Sequence, residues 1–234
     1  MTRILTAILS AIIFCSCQSI SGNGNIVTQN RNVNQFTGVR ASGSIDIEVV
    51  NDQNHSVRVE ADDNIMPYII TKVEDGVLDV HLKPNFMYHN INAKVFVTAP
   101  SLTKLTVSGS GSITAKDTLA NAEQIDFKVS GSGDVVAIVD APSVNAEIGG
   151  SGTITLSGKT KDFNCNIIGS GDLECKKLLS ENTTVDITGS GTAHLFASVH
   201  LLAKTTGSGD IFYSGHPSPP EIRKTGSGTV EAEK

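Results

Sequence analysis

The sequence predicts an all-β protein: a right-handed, single-stranded parallel β-helix of about 20 residues per rung, preceded by a hairpin-rich β section. Three observations predict it. Gly-Ser-Gly occurs seven times, in steps of 22, 19, 19, 20, 18 and 19 residues. Its glycines are Gly109 and Gly111, Gly131 and Gly133, Gly150 and Gly152, Gly169 and Gly171, Gly189 and Gly191, Gly207 and Gly209, and Gly226 and Gly228, and all are expected to be structural turn residues. Apolar residues alternate with period two around each tripeptide. Val129, Ile148, Ile167 and Ile187 stand two before it, and Val135, Ile154, Leu173 and Ile211 two after it. No repeat carries the i, i+3, i+4, i+7 stripe of a helix.

The elements follow in chain order. Residues 1–16 read as a secretory signal: Arg3, an apolar run Ile4 to Phe14, then small residues before Cys17. Ser16-Cys17 resembles a bacterial lipobox, with Phe14 where Leu is usual. That resemblance implies cleavage before Cys17, a diacylglycerol on its sulfur, and anchoring to the outer membrane with its periplasmic face favoured; surface display stays open, as does an ordinary signal peptide. Residues 17–31 read as the lipidated Cys and a tether, with SISGNGN (Ser19–Asn25) flexible. Residues 32–101 form the N-terminal β section, a cap over one end of the solenoid. Its strands alternate at Ser44–Val49, Ser56–Ala61, Val77–Leu82 and Ala93–Val97, with turns at Asn51–Asn54 and Glu74–Gly76. Residues 102–234 form the repeat β-helix. Each Gly-Ser-Gly is expected at a corner, where stacked rungs leave no room for a Cβ.

Composition excludes some partners. The formal net charge is −6, with 18 basic and 24 acidic residues and no basic cluster, so nucleic acid is not expected. Trp is absent and aromatics make up 5 % of the chain, which counts weakly against an aromatic sugar cleft. Cys165 and Cys175 flank one Gly-Ser-Gly on inward positions and read as buried thiols rather than a disulfide.

No catalytic, cofactor or metal site is expected. The six histidines make no zinc pattern, and every repeated Ser lies between adjacent glycines, so no nucleophile elbow is formed. The residues after the tripeptides are Ser112, Asp134, Thr153, Asp172, Thr192, Asp210 and Thr229. This alternation reads as a structural hydroxyl–carboxylate ladder, with a row of cation sites as the competing reading. Glu174 and His194, one rung apart, are the best catalytic-looking pair, and two solvated surface residues are the plainer reading. Phe86–Asn90 is an aromatic loop that either meets a ligand or tucks over the solenoid end.

The order Phe36-x-x-Val39, Gly43-Ser44-Ile45-Asp46-Ile47, Val57–Asp62, Glu74–Leu78, then Ala99-Pro100-Ser101-Leu102 leading into Gly109-Ser110-Gly111 resembles the auto-transporter adhesin head GIN domain family. The resemblance covers nearly all of the chain after Cys17. It implies a secreted or envelope-anchored β-helical protein of adhesin type and carries no catalytic residues. The chain stops at Lys234 after its last repeat, so the auto-transporter part of that name is not expected to apply. The expected function is non-catalytic binding of a surface glycan or protein partner. An envelope scaffold and a polysaccharide lyase or hydrolase are the alternatives.

Overall fold

A computed structural model describes residues 18–233; the signal segment and Cys17 lie outside the described residues. The chain before the repeats forms β1 (Gln18–Ser21), β2 (Ile26–Arg31), β3 (Gly38–Gly43), β4 (Asp46–Asn51), β5 (Ser56–Asp62), a 3₁₀ turn Met66–Tyr68, β6 (Ile69–Glu74), β7 (Val77–Leu82), β8 (Phe86–His89) and β9 (Ala93–Ala99). The repeats form β10 (Lys104–Gly109), β11 (Ser112–Ala120), β12 (Gln124–Gly131), β13 (Asp134–Gly150), β14 (Thr153–Gly169) and β15 (Asp172–Gly189). They end with β16 (Thr192–Phe196), β17 (His200–Gly207), β18 (Asp210–Ser214), β19 (Glu221–Gly226) and β20 (Val230–Ala232).

These strands wind into a β-solenoid with parallel stacked faces. The first face runs into the corners and stacks β7, β3, β10, β12, the second halves of β13, β14 and β15, then β17 and β19. The second face leaves the corners and stacks β9, β4, β11, the first parts of β13 to β15, then β16, β18 and β20. A short third face joins them at 118–120, 138–141, 157–160 and 177–180. The unequal steps between corners are absorbed away from the corners. Register shifts lie between Thr114 and Thr118 in β11 and between Thr155 and Ser157 in β14.

The corners show why the repeat has its composition. Ser132 N–H donates to Gly109 O at 2.9 Å, and Asp134 N–H donates to Gly111 O at 3.2 Å, so the inter-rung ladder continues around the bend. A Cβ on Gly131 would lie 2.6 Å from that same Gly109 oxygen, and Gly131 sits at φ +120°. At the second glycine of the tripeptide, space alone excludes a side chain. A Cβ on Gly171 would lie 2.5 Å from Ile148 Cγ2 and 2.7 Å from Gly152 O. On Gly133, Gly191 or Gly228 it would run into the carbonyl oxygen of Gly111, Gly171 or Gly209 in the rung before. Inside, the alternating positions make one core, including Val129, Val135, Ile148, Ile154, Ile167, Leu173 and Ile187, all fully buried. Each such side chain contributes about 1.5–3 kcal/mol.

The solenoid reaches further towards the N-terminus than Gly-Ser-Gly does. Gly43 pairs with Gly109 in the same register that links the later corners, so β3 and β4 are a rung. Its tripeptide is Gly43-Ser44-Ile45. A Cβ on Gly43 would meet nothing within 4 Å, because β8 loops out where a preceding corner would stack. With no corner beneath, Ile45 is tolerated and is fully buried. The residues between β4 and β10 are an excursion that closes this end. β5 lies antiparallel between β9 and β2, and β6 lies antiparallel on β7.

The segment read as a flexible tether is held instead. β1 pairs in parallel with β8, and Gly22 N–H donates to His89 O at 3.1 Å. Asp62, fully buried, accepts from the backbone N–H of Gly24 and of Asn92, both at 2.7 Å. The physical reason is that a buried carboxylate recovers its lost hydration through these amides, which fixes both loops to it. The Asn92 amide above all, with that of Gly24, holds the Asp62 carboxyl below the ordinary aspartate range. At the other end β19 is exposed along its length. Inward positions turn polar there, from Ile187 to Thr205 to Lys224, and Thr205 Oγ1 donates to Gly209 O at 2.9 Å.

Two outcomes follow from these contacts. Gly131→Ala is expected to lower unfolding stability by at least about 2 kcal/mol in denaturant titrations, against less than about 1 kcal/mol for the exposed Ser132→Ala. Because the Asp62 pKa is depressed in the folded state, its stabilisation is present above the unfolded value of about 3.9 and is lost as pH falls through the folded value. Hydrogen exchange at Gly22–Asn25 should therefore accelerate in that acidic window, and at neutral pH in Asp62→Ala; unchanged protection in both cases would refute the pinning role.

Candidate functional site

The outer surface of the first face carries a set of polar side chains bonded to one another across the rungs. Parallel register stacks Lys104, Asp126, Asn145 and Asn164 in one column. Asn164 Nδ2 donates to Asn145 Oδ1 at 3.2 Å, and Asn145 Nδ2 donates to Asp126 Oδ1 at 2.9 Å. Gln124 Nε2 donates to the same Asp126 oxygen at 2.7 Å. The row is polarised, with each amide donating towards the carboxylate, where the bond is charge-assisted. The next outward column holds Lys128 and Glu147 paired at 2.7 Å, then Asn166. Further along that column Lys204 and Asp186 pair at 2.6 Å. Around Asp126, Asn145 and Asn164, with Lys104, Lys128 and Glu147, the surface forms an open depression of about 540 Å³. Chemically, it offers amide and carboxylate groups at a repeat of about 4.8 Å to a ligand rich in hydroxyls.

The structure gives His194, of the catalytic-looking pair, other partners. Glu174 and His194 are neighbours across β15 and β16. His194 Nδ1, however, lies 3.3 Å from Glu233 Oε2, and its ring stacks on Phe212 at 4.9 Å and 17°. Lys176 Nζ lies 3.5 Å from Glu233 Oε1. Sequence reasoning missed Glu233, since nothing local in the chain joins it to His194. The grouping ties β15 and β16 to the residue after β20, and it is an ionic contact with no nucleophile placed against a base.

The acid–hydroxyl row extends back to Asp46. Ser112 donates to Asp46 Oδ1 from its N–H at 3.0 Å and from Oγ at 2.8 Å. At the far end Thr229 N–H donates to Asp210 Oδ1 at 2.7 Å. These carboxylates accept from the neighbouring rung's corner. Among the described residues, no group of three or more His, Cys, Asp and Glu is arranged to hold a metal ion. Cys165 and Cys175 are free and buried, and burial pushes both thiols up.

Phe86–His89 is the strand β8, so the aromatic segment is ordered. Tyr68 and Phe86 meet edge to face at 5.1 Å, Tyr88 lies 6.1 Å from both rings, and Tyr88 packs partly buried against the core. These rings close the end of the solenoid. Tyr88 Oη donates to Lys83 O at 2.8 Å. No helix among the described residues is long and apolar enough to cross a membrane.

The profile of the family described as "Putative auto-transporter adhesin, head GIN domain" matches residues 35–217, and the chain belongs to that family. A solved "putative adhesin" from Bacteroides fragilis superposes with a TM-score of 0.87 at 22 % identity, covering 92 % of this chain and all of its own. A second "putative adhesin", from Parabacteroides distasonis, gives 0.74 at 26 % identity over 92 % of this chain and all of its own. A "putative lipid binding protein" from the same organism gives 0.76 at 24 % identity over 93 % of this chain and all of its own. No curated protein matches. The family marks the chain as an adhesin-like protein of the cell envelope or surface.

A thiol count tests the site's interior. A thiol reagent is expected to label neither Cys165 nor Cys175 in the native protein and both after unfolding without reductant. No labelling after unfolding would mean a disulfide.

Proposed function

We propose that this GIN-domain protein is a non-catalytic adhesin module, anchored to the outer membrane through a lipid on Cys17, that binds a surface glycan with the outer side of its first face. The observation that carries the binding reading is the polarised Asp126–Asn145–Asn164 row beside Lys128–Glu147 in an open depression. Its side chains are already ordered by one another, so a ligand meets pre-set donors and acceptors at reduced entropic cost. Amides and carboxylates suit sugar hydroxyls, and the flat repeat suits an extended chain. The family's adhesin designation points the same way. A protein partner using the same face is the companion reading.

The enzymatic reading has less support. His194 is engaged by Glu233 and Phe212, and the acid row accepts bonds from the corners at its two ends. A scaffold role draws on the outer edges of β19 and β20, whose registers among the described residues run to β17 and β18 on one side each. Membrane attachment rests on Ser16-Cys17 following a short apolar run.

The test is a panel of bacterial and host polysaccharides scored for retention and for newly formed chain ends. Retention without cleavage is expected. Asn145→Ala with Asn164→Ala should weaken it roughly tenfold or more, from two lost hydrogen bonds of about 0.5–1.5 kcal/mol each. New chain ends would replace this reading with an enzyme. Cys17→Ser should move the protein out of the membrane fraction.

A further inference from the structure

Lipid anchoring of Cys17, the reading on which this inference rests, has a structural consequence at the capped end. Gln18 is both the residue after Cys17 and the first residue of β1. It pairs with Phe86 of β8. Paired strands lie about 4.8 Å apart, so the residue to which Cys17 is bonded is itself held beside Phe86. No slack follows. β1 is bonded to β8, Gly22 to His89, and Gly24 to buried Asp62. Asn64 Nδ2 also donates to Ser21 O at 2.8 Å. A lipid on Cys17 therefore cannot hold the domain at a distance; it brings the capped end to the headgroup layer.

The side chains at that end fit such a layer. Along β8, Phe86 and Tyr88 are half-buried, Tyr88 with one side against the core, and Met87, between them, is 49 % exposed. Two of the chain's three tyrosines, Tyr68 and Tyr88, sit in this ring cluster. Lys83 Nζ lies 5.8 Å from the Phe86 ring centroid, exposed beside it. Half-wet aromatic rings, a flexible thioether and a long-stemmed cation are the groups that settle at a bilayer interface. Asp62 and the exposed Asp63 lie close to the same segment, bonded to Gly24 and Asn23. Their charge makes a polyanionic surface unfavourable and a zwitterionic phospholipid the better match.

We infer that the β1–β8 edge, with Met87, Phe86, Tyr68, Tyr88 and Lys83, is a membrane-contact surface that seats the capped end of the lipidated protein on the zwitterionic phospholipid interface. The anchor and this edge then act as two signals on one side of the molecule, and the first face rises away from the bilayer. The diacylglycerol supplies the hold on the membrane, and the interfacial contact of this edge adds to it and sets the orientation of the domain.

The chain holds no tryptophan, so an introduced one is the sole indole. The experiment uses the lipidated protein in phosphatidylcholine vesicles with brominated acyl chains, and single tryptophans in Met87→Trp, Pro84→Trp and Thr188→Trp. Thr188 is exposed on the first face, five rungs from Gly43, or about 24 Å along the stack. Mass spectrometry of the same preparations reads the lipid on Cys17. With lipid present, loss of emission and a blue shift at position 87 or 84, with none at 188, is the expected result. Lipid present with neither 87 nor 84 quenched, or with 188 quenched equally, overturns this inference and leaves the anchor standing. Absence of lipid on Cys17 overturns both. Adding phosphatidylglycerol to the vesicles should reduce quenching at 87; an increase would overturn the zwitterionic preference.

Discussion

At every corner after the first, the oxygen of one glycine occupies the place where the next glycine would carry its Cβ. That single steric exclusion organises the rest of the molecule. The same oxygen accepts the N–H of the following rung's serine, so the contact that forbids a side chain is also a hydrogen bond. Removing the Cβ lets the backbone ladder turn the corner unbroken. Without it, the parallel faces would be separate sheets with unsatisfied ends. Alternation of inward and outward residues on both faces is then set by where the corner falls. A shift of one residue would turn every core side chain outward.

The two ends solve the problem of an open stack differently. At the start, antiparallel β2, β5 and β6 cover the first rung, and buried Asp62 fastens the approaching chain. At the far end, apolar positions give way to Thr205 and Lys224, and Glu233 engages His194 and Lys176. Charged and polar inward residues on an edge rung discourage edge-to-edge pairing. Between the ends the outer surface is free of those duties. Its columns of Asn, Asp, Lys and Glu bond to one another from rung to rung.

How much of this the chain reveals depends on whether the cause is local. The corners, the period-two alternation and the family resemblance are readable because each rung imposes the same demands every 18 to 22 residues. Gly43-Ser44-Ile45 escapes as a corner because nothing stacks beneath it, so the second glycine is not required. The pinned segment after Gln18 escapes because its partner strand begins at Phe86, far along the chain, with no local pattern to announce it. His194 and Glu233 meet for the same reason, 39 residues apart. The Asp126–Asn145–Asn164 row is the intermediate case. Its 19-residue spacing is visible in the sequence, but only the rung register shows that the three side chains bond in a line.

Each corner takes its register from the one before it and from no other. The spare residues between corners sit in bulges next to the third face and leave the glycine columns untouched. Length is therefore a free variable of this architecture. Duplicating one segment from corner to corner would add about 4.8 Å of height and one more member to every column, with the cross-section unchanged. The molecule is a ruler graduated in rungs, and a lineage could adjust its reach by whole graduations while keeping both finished ends.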